Sequence, residues 1–146
     1  MASLSSTLCF MGALLFTLGL LTGFGIPSFR SPRIRLSAHL AAIESGLALI
    51  AFGLLLPHLA LSAGWAAGIG YVLWVSLYVM CIGLVLAAVF GTGKVLPIAG
   101  AGLPAKRWQE TMAFIVITVG SVGTAGAVVC CSLNGGGPFD VGGDAS

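Results

Sequence analysis

Four long apolar runs, separated by short polar or glycine-rich stretches, organise this 146-residue chain. They cover about residues 8–26, 36–56, 65–90 and 111–133. The second stops at Pro57, and the third is long enough to cross a bilayer with tilt. None shows the short alternating pattern of a β-barrel strand, so each predicts a helix. Four such helices with short connections predict an all-α, integral membrane four-helix bundle forming one domain. No Lys or Arg precedes Arg30, so the first run lacks the basic leader of a cleaved signal peptide and is expected to remain as a helix. Residues 134–146 are Gly-rich, carry Asp140 and Asp144, and predict a disordered tail.

Composition strengthens the membrane reading. Hydrophobic residues make up 58% of the chain and charged residues 7%, with a mean hydropathy of +1.12. Soluble domains carry about 25% charged residues. The cations predict topology. Arg30, Arg33 and Arg35 lie between the first two runs, and Lys94, Lys106 and Arg107 between the last two. Both basic loops are expected on the cytoplasmic face, with both termini facing outward to a periplasm or lumen. The expected location is a bacterial inner membrane or an endomembrane such as the ER. A net charge of +2 gives no basis for nucleic-acid binding, and the cations suit lipid headgroups.

Small residues recur at helix-packing spacing: Gly19 and Gly23, Gly83 and Ala87, then Gly120, Gly123 and Gly126. They fit close helix approach within the bundle or between protomers. The Gly91–Arg107 loop reads equally as a cytoplasmic cap or a plain connector. Its Gly100-Ala101-Gly102 piece follows no strand, so it is not a convincing nucleotide loop.

The candidate chemistry centres on residues 36–46. His39 is expected three or four residues into the second helix, with Gly46 seven residues later on nearly the same face. An imidazole above a strip of small residues leaves room for a flat ring, as a haem ligand requires, although an interfacial histidine bonded to a neighbour fits equally. Glu44 lies roughly 140° round the helix from His39, at 100° per residue. An uncompensated carboxylate there costs about 2.5–3.5 kcal/mol, so it is expected to face the bundle interior or a protomer interface. A buried acid held neutral can donate a proton; a structural hydrogen bond is the alternative. Tyr78, near the middle of the third helix, needs a partner for its phenol. Trp65 and Trp108 suit interface belts, and Glu110 suits the start of the fourth helix. The cysteines have no metal spacing; in an oxidising lumen Cys9 could pair with Cys130 or Cys131. No Ser-His-Asp or H-E-x-x-H arrangement is present.

Taken together, Ser31-Pro32-Arg33, Leu36-Ser37-Ala38-His39-Leu40, Gly46, Gly53-Leu54-Leu55, Pro57-His58-Leu59, Pro97-Ile98-Ala99-Gly100 and Trp108-Gln109-Glu110 closely resemble bacterial hydroxylaminobenzene mutase. The likeness covers roughly residues 8–130, and the Ala-His segment also resembles styrene oxide isomerase more distantly. Both are small four-helix membrane enzymes that rearrange a substrate without redox change. The resemblance implies an oligomer, with a trimer favoured, and haem b held between protomers with His39 on the iron. Ferric haem would then act as a Lewis acid on a lipophilic substrate entering from the bilayer, with Glu44, Ser45 and Tyr78 lining the pocket and Gly46 beside the cofactor. Two positions depart from the relatives: Ser45 and Met80 stand where they carry asparagine. These departures, with Glu44, make a membrane epoxide hydrolase or cyclase the first alternative to an isomerase. A non-catalytic scaffold is the second.

Overall fold

The computed structural model describes residues 2–24, 32–59, 61–92 and 105–134. They form four helices: α1 (Ala2–Phe24), α2 (Pro32–Leu55), α3 (Ala63–Phe90) and α4 (Arg107–Asn134). All four are long and apolar enough to cross a membrane. The tail from residue 135 and most of the α3–α4 loop lie outside the described residues.

The helices begin earlier than the apolar runs. In α1 the Thr7 hydroxyl donates to the Ser3 carbonyl four residues back, at 2.8 Å, so this polar side chain is satisfied within the helix. In α2, Pro32 supplies a φ suited to a first turn. That draws Arg33 and Arg35, expected in a loop, into the helix, and makes His39 its eighth residue. Pro57, with no N–H to donate, ends α2 in a single 3-10 turn, Leu56–His58. Gly91 ends α3 with φ 69°, where its N–H and that of Thr92 both reach the Ala87 carbonyl. At the start of α4 the Gln109 side chain accepts the Lys106 backbone N–H at 3.0 Å, which satisfies a donor the helix leaves open.

The helices pack as two tight hairpins, α1–α2 and α3–α4, joined mainly through α2 and α3. Glycine permits each hairpin. A Cβ on Gly46 would lie 2.6 Å from the Phe16 backbone nitrogen, and one on Gly12 2.7 Å from the Gly46 carbonyl oxygen. A Cβ on Gly120 would lie 2.7 Å from the Met80 backbone. The main core, with Leu8, Leu49, Leu56 and Leu73 almost fully buried, joins α1, α2 and α3 and takes in Ala127 and Cys131 of α4. A second cluster of Ile34, Ala87, Ala88 and Ala113 closes the end where α2 and α4 begin. The outer surface is lined by large apolar side chains, most densely on α4.

Candidate functional site

His39 is held by α1. Gly19 and Gly23, one turn apart, bring that helix so close that a Cβ on Gly23 would lie 2.8 Å from the imidazole Cε1. The ring Nδ1 is 2.6 Å from the Gly19 carbonyl oxygen. A carbonyl only accepts, so Nδ1 carries the hydrogen and the neutral ring keeps its lone pair on Nε2. The Thr22 hydroxyl donates to the same carbonyl at 2.6 Å. One turn before His39 on α2, the buried Arg35 donates from Nε to the Thr22 carbonyl at 3.0 Å. A guanidinium at the open carbonyls of α1's last turn is favourable for the helix dipole as well as for hydrogen bonding.

Tyr78 supplies the second crossing contact: its hydroxyl donates to the Met11 carbonyl on α1 at 2.8 Å. Trp74 packs edge-on to both Tyr71 and Tyr78, at 5.1 and 6.3 Å between ring centres. Ser45 is buried and faces the Cys81 thiol across α2–α3.

Between these contacts, where α1, α2 and α3 meet, lies a cavity of about 210 Å3. Leu15, Leu18 and Thr22 line it from α1, Ala42 from α2, and Tyr78 and Cys81 among others from α3. Ala42 is one turn beyond His39, and Thr22 shares the Gly19 carbonyl with it, so the histidine lies about one turn from the cavity without entering its lining. An apolar cavity of about 150 Å3 holds benzene, so this one is sized for a single substituted ring.

Of the predicted site residues, Tyr78 lies in the cavity wall, Ser45 is buried beside the lining residue Cys81, and His39 lies one turn from the lining residue Ala42. Two expected members do not join them. The strip from His39 to Gly46 is not open for a flat ring, because α1 fills it: Gly46 sits against Gly12 and Phe16. Glu44 is exposed on the outer face of α2 and takes no part in the cavity lining; of the two expected positions, this is not the bundle interior, and the protomer-interface alternative is untouched. The cysteines are all free thiols. Cys9 donates to the Ile50 carbonyl on α2, at 3.8 Å, rather than bridging to Cys130 or Cys131. Trp65 and Trp108 are exposed near opposite ends of the helices, whereas Glu110 is buried in the first turn of α4. Sequence reasoning took Gly19 and Gly23 as packing residues and missed that they seat the imidazole. Their four-residue spacing near the end of α1, facing a histidine near the start of α2, was the available signal.

Among the described residues no three His, Cys, Asp or Glu side chains converge. A metal held through His39 would therefore bring its other ligands with it, as a macrocycle does. The Nδ1–H bond to a carbonyl is the arrangement that orients a ligating histidine, so His39 meets that one requirement of a haem ligand.

A family model described as styrene oxide isomerase matches residues 4–135. The chain is 37% identical over 135 residues to hydroxylaminobenzene mutase HabB of Ectopseudomonas oleovorans, covering 90% of this chain and 79% of that protein. It is 39% identical over 89 residues to hydroxylaminobenzene mutase HabA of the same organism, covering 60% of this chain and 66% of that one.

Proposed function

The chain belongs to the styrene oxide isomerase family and is an isomerase-type enzyme; from that premise we propose that it rearranges a small lipophilic epoxide or N-hydroxy compound within a membrane. The observation that carries this reading is the apolar, ring-sized cavity one turn from a histidine whose Nδ1 is held by the Gly19 carbonyl. A rearrangement conserves every atom of the substrate, so a site that excludes water suits it by suppressing hydrolysis of reactive intermediates.

His39 would hold haem b through Nε2, with Gly19 fixing the ring and Gly23 giving it room. When bound, ferric haem supplies a Lewis acid for the substrate's oxygen. The chain supplies the rest. Leu15, Leu18 and Ala42 confine the hydrocarbon part of the substrate. Tyr78 has committed its hydroxyl to Met11 on α1 and presents an apolar ring edge to the cavity wall. The helices span a bacterial inner membrane or an endomembrane with the basic segments cytoplasmic, and substrate enters from the lipid. The active form is a homo-oligomer, with a trimer favoured. The epoxide hydrolase or cyclase reading has no acid at the cavity, since Glu44 faces outward.

The test is incubation of the purified chain with styrene oxide and, separately, hydroxylaminobenzene in 18O-water. A product of unchanged mass without the label is expected. A diol carrying solvent oxygen would overturn the isomerase assignment for this chain. Absence of a Soret band in active wild-type protein would remove haem, and His39→Ala should abolish both the band and turnover.

A further inference from the structure

Two polar features near mid-span on the outer surface have no partner among the described residues. Glu44 is the thirteenth residue of α2, exposed between Leu40 and Leu47, and makes no hydrogen bond or ion pair among the described residues. On α4, Thr118 and Ser121 are also exposed, and neither hydroxyl is hydrogen-bonded among the described residues. They are exceptions on their own helix: Thr111, Thr124 and Ser132 each donate to the carbonyl four residues back. A hydroxyl in an apolar helix ordinarily takes that bond, so a pair that does not is available to another group.

The two features share one level. Ser45, next to Glu44, faces Cys81 across α2–α3, and Gly120, next to Ser121, abuts Met80 across α3–α4. Cys81 and Met80 are neighbours, which ties Glu44 and Ser121 to within about one turn of each other along the bundle. Both α2 and α4 run antiparallel to α3, so this match holds in the same orientation. Within one chain the groups do not meet. Small residues on α4 leave its surface accessible: a Cβ on Gly126 would have nothing within 4 Å.

We propose that the partner of this surface is a second copy of the chain, joined head to tail, with Glu44 of one copy hydrogen-bonded to Thr118 and Ser121 of the next. An exposed carboxyl at mid-span is costly in hydrocarbon and must be covered by polar groups, and the hydroxyl pair at matching depth supplies them. Because the two patches differ, the contact is heterologous, and repeated it closes a ring. The inference rests on the membrane-embedded reading and names the seam of the homo-oligomer; it requires neither haem nor turnover.

The test uses the full chain in membranes. Differently tagged Glu44→Cys and Ser121→Cys chains are co-expressed and oxidised, with each variant co-expressed with wild type to measure the background from native cysteines. A mixed adduct at least fivefold above background is expected. A Glu44→Cys self-adduct alone, or no adduct above background, would overturn the seam. In wild type, a lipid-soluble carbodiimide should label Glu44 in a small minority of chains, and Ser121→Leu should raise that fraction several-fold. Labelling of most wild-type chains would mean that Glu44 faces lipid, which sinks the proposal. Carbonate extraction and turnover, measured on the same samples, report separately on membrane insertion and on isomerase activity.

Discussion

Replacing Gly23 with alanine tests whether the seat of His39 governs the chemistry. The added Cβ would lie 2.8 Å from Cε1 and 3.0 Å from Nδ1, whereas ordinary contact begins near 3.4 Å. The ring must therefore retreat by about 0.6 Å. Taken along the 2.6 Å bond to Gly19, that retreat leaves Nδ1 about 3.2 Å from the carbonyl, at the outer limit of an N–H···O bond. Losing a neutral hydrogen bond removes about 0.5–1.5 kcal/mol from the aligned state, a two- to tenfold fall in its population. The backbone effect runs the other way but only in part, since Gly23 is the second-last residue of α1 and the preference for alanine of about 0.8–1 kcal/mol holds in a helix interior. Turnover and Soret intensity should therefore drop two- to tenfold while thermal stability holds or rises slightly. Gly64→Ala is the control, because its Cβ would meet nothing within 4 Å. A Gly23→Ala enzyme with wild-type turnover and spectrum would refute the role given to this contact.

Gly46→Ala should lower the unfolding free energy by about 1–3 kcal/mol, seen as a reduced melting temperature in detergent, because its Cβ meets the α1 backbone rather than a movable side chain. Gly126→Ala, interior to α4 and with open space around it, should raise that temperature slightly, since alanine is favoured over glycine inside a helix. Tyr78→Phe removes the bond to Met11 and should destabilise the chain by about 0.5–1.5 kcal/mol in chemical denaturation, with a fall in turnover from a less confined cavity. Glu44→Gln should keep turnover within about threefold of wild type, whereas loss of a general acid–base would cost about 10²- to 10⁴-fold; a loss in that range would restore Glu44 to the chemistry.

Helix count and type were legible because four apolar runs of bilayer length leave little else to form. The helix starts were not. Pro32 opens α2 four residues before its apolar run, and Arg35 is accommodated by a carbonyl on α1, a partner thirteen residues away that no local pattern reveals. His39 was legible as a candidate, but its tautomer depends on the Gly19 carbonyl, twenty residues earlier. Gly46 shows the converse error: small size creates space, and only the fold shows that Phe16 and Gly12 occupy it. Tyr78 was correctly expected to need a partner, yet Met11 lies sixty-seven residues away and acts through its backbone, which its side chain does not advertise.

The cavity belongs to neither hairpin alone. Leu15, Leu18 and Ala42 come from the first and Tyr78 and Cys81 from the second, while the glycines that lock each hairpin lie at other positions. Substrate range and folding are thus written on largely separate sets of residues. Trimming Leu18 reshapes the chamber and leaves the glycine crossings untouched, whereas enlarging Ala42 would press on Gly19. Selection can retune such an enzyme for a new ring substituent by changing the seam between two preformed halves, each of which keeps its own reason to fold.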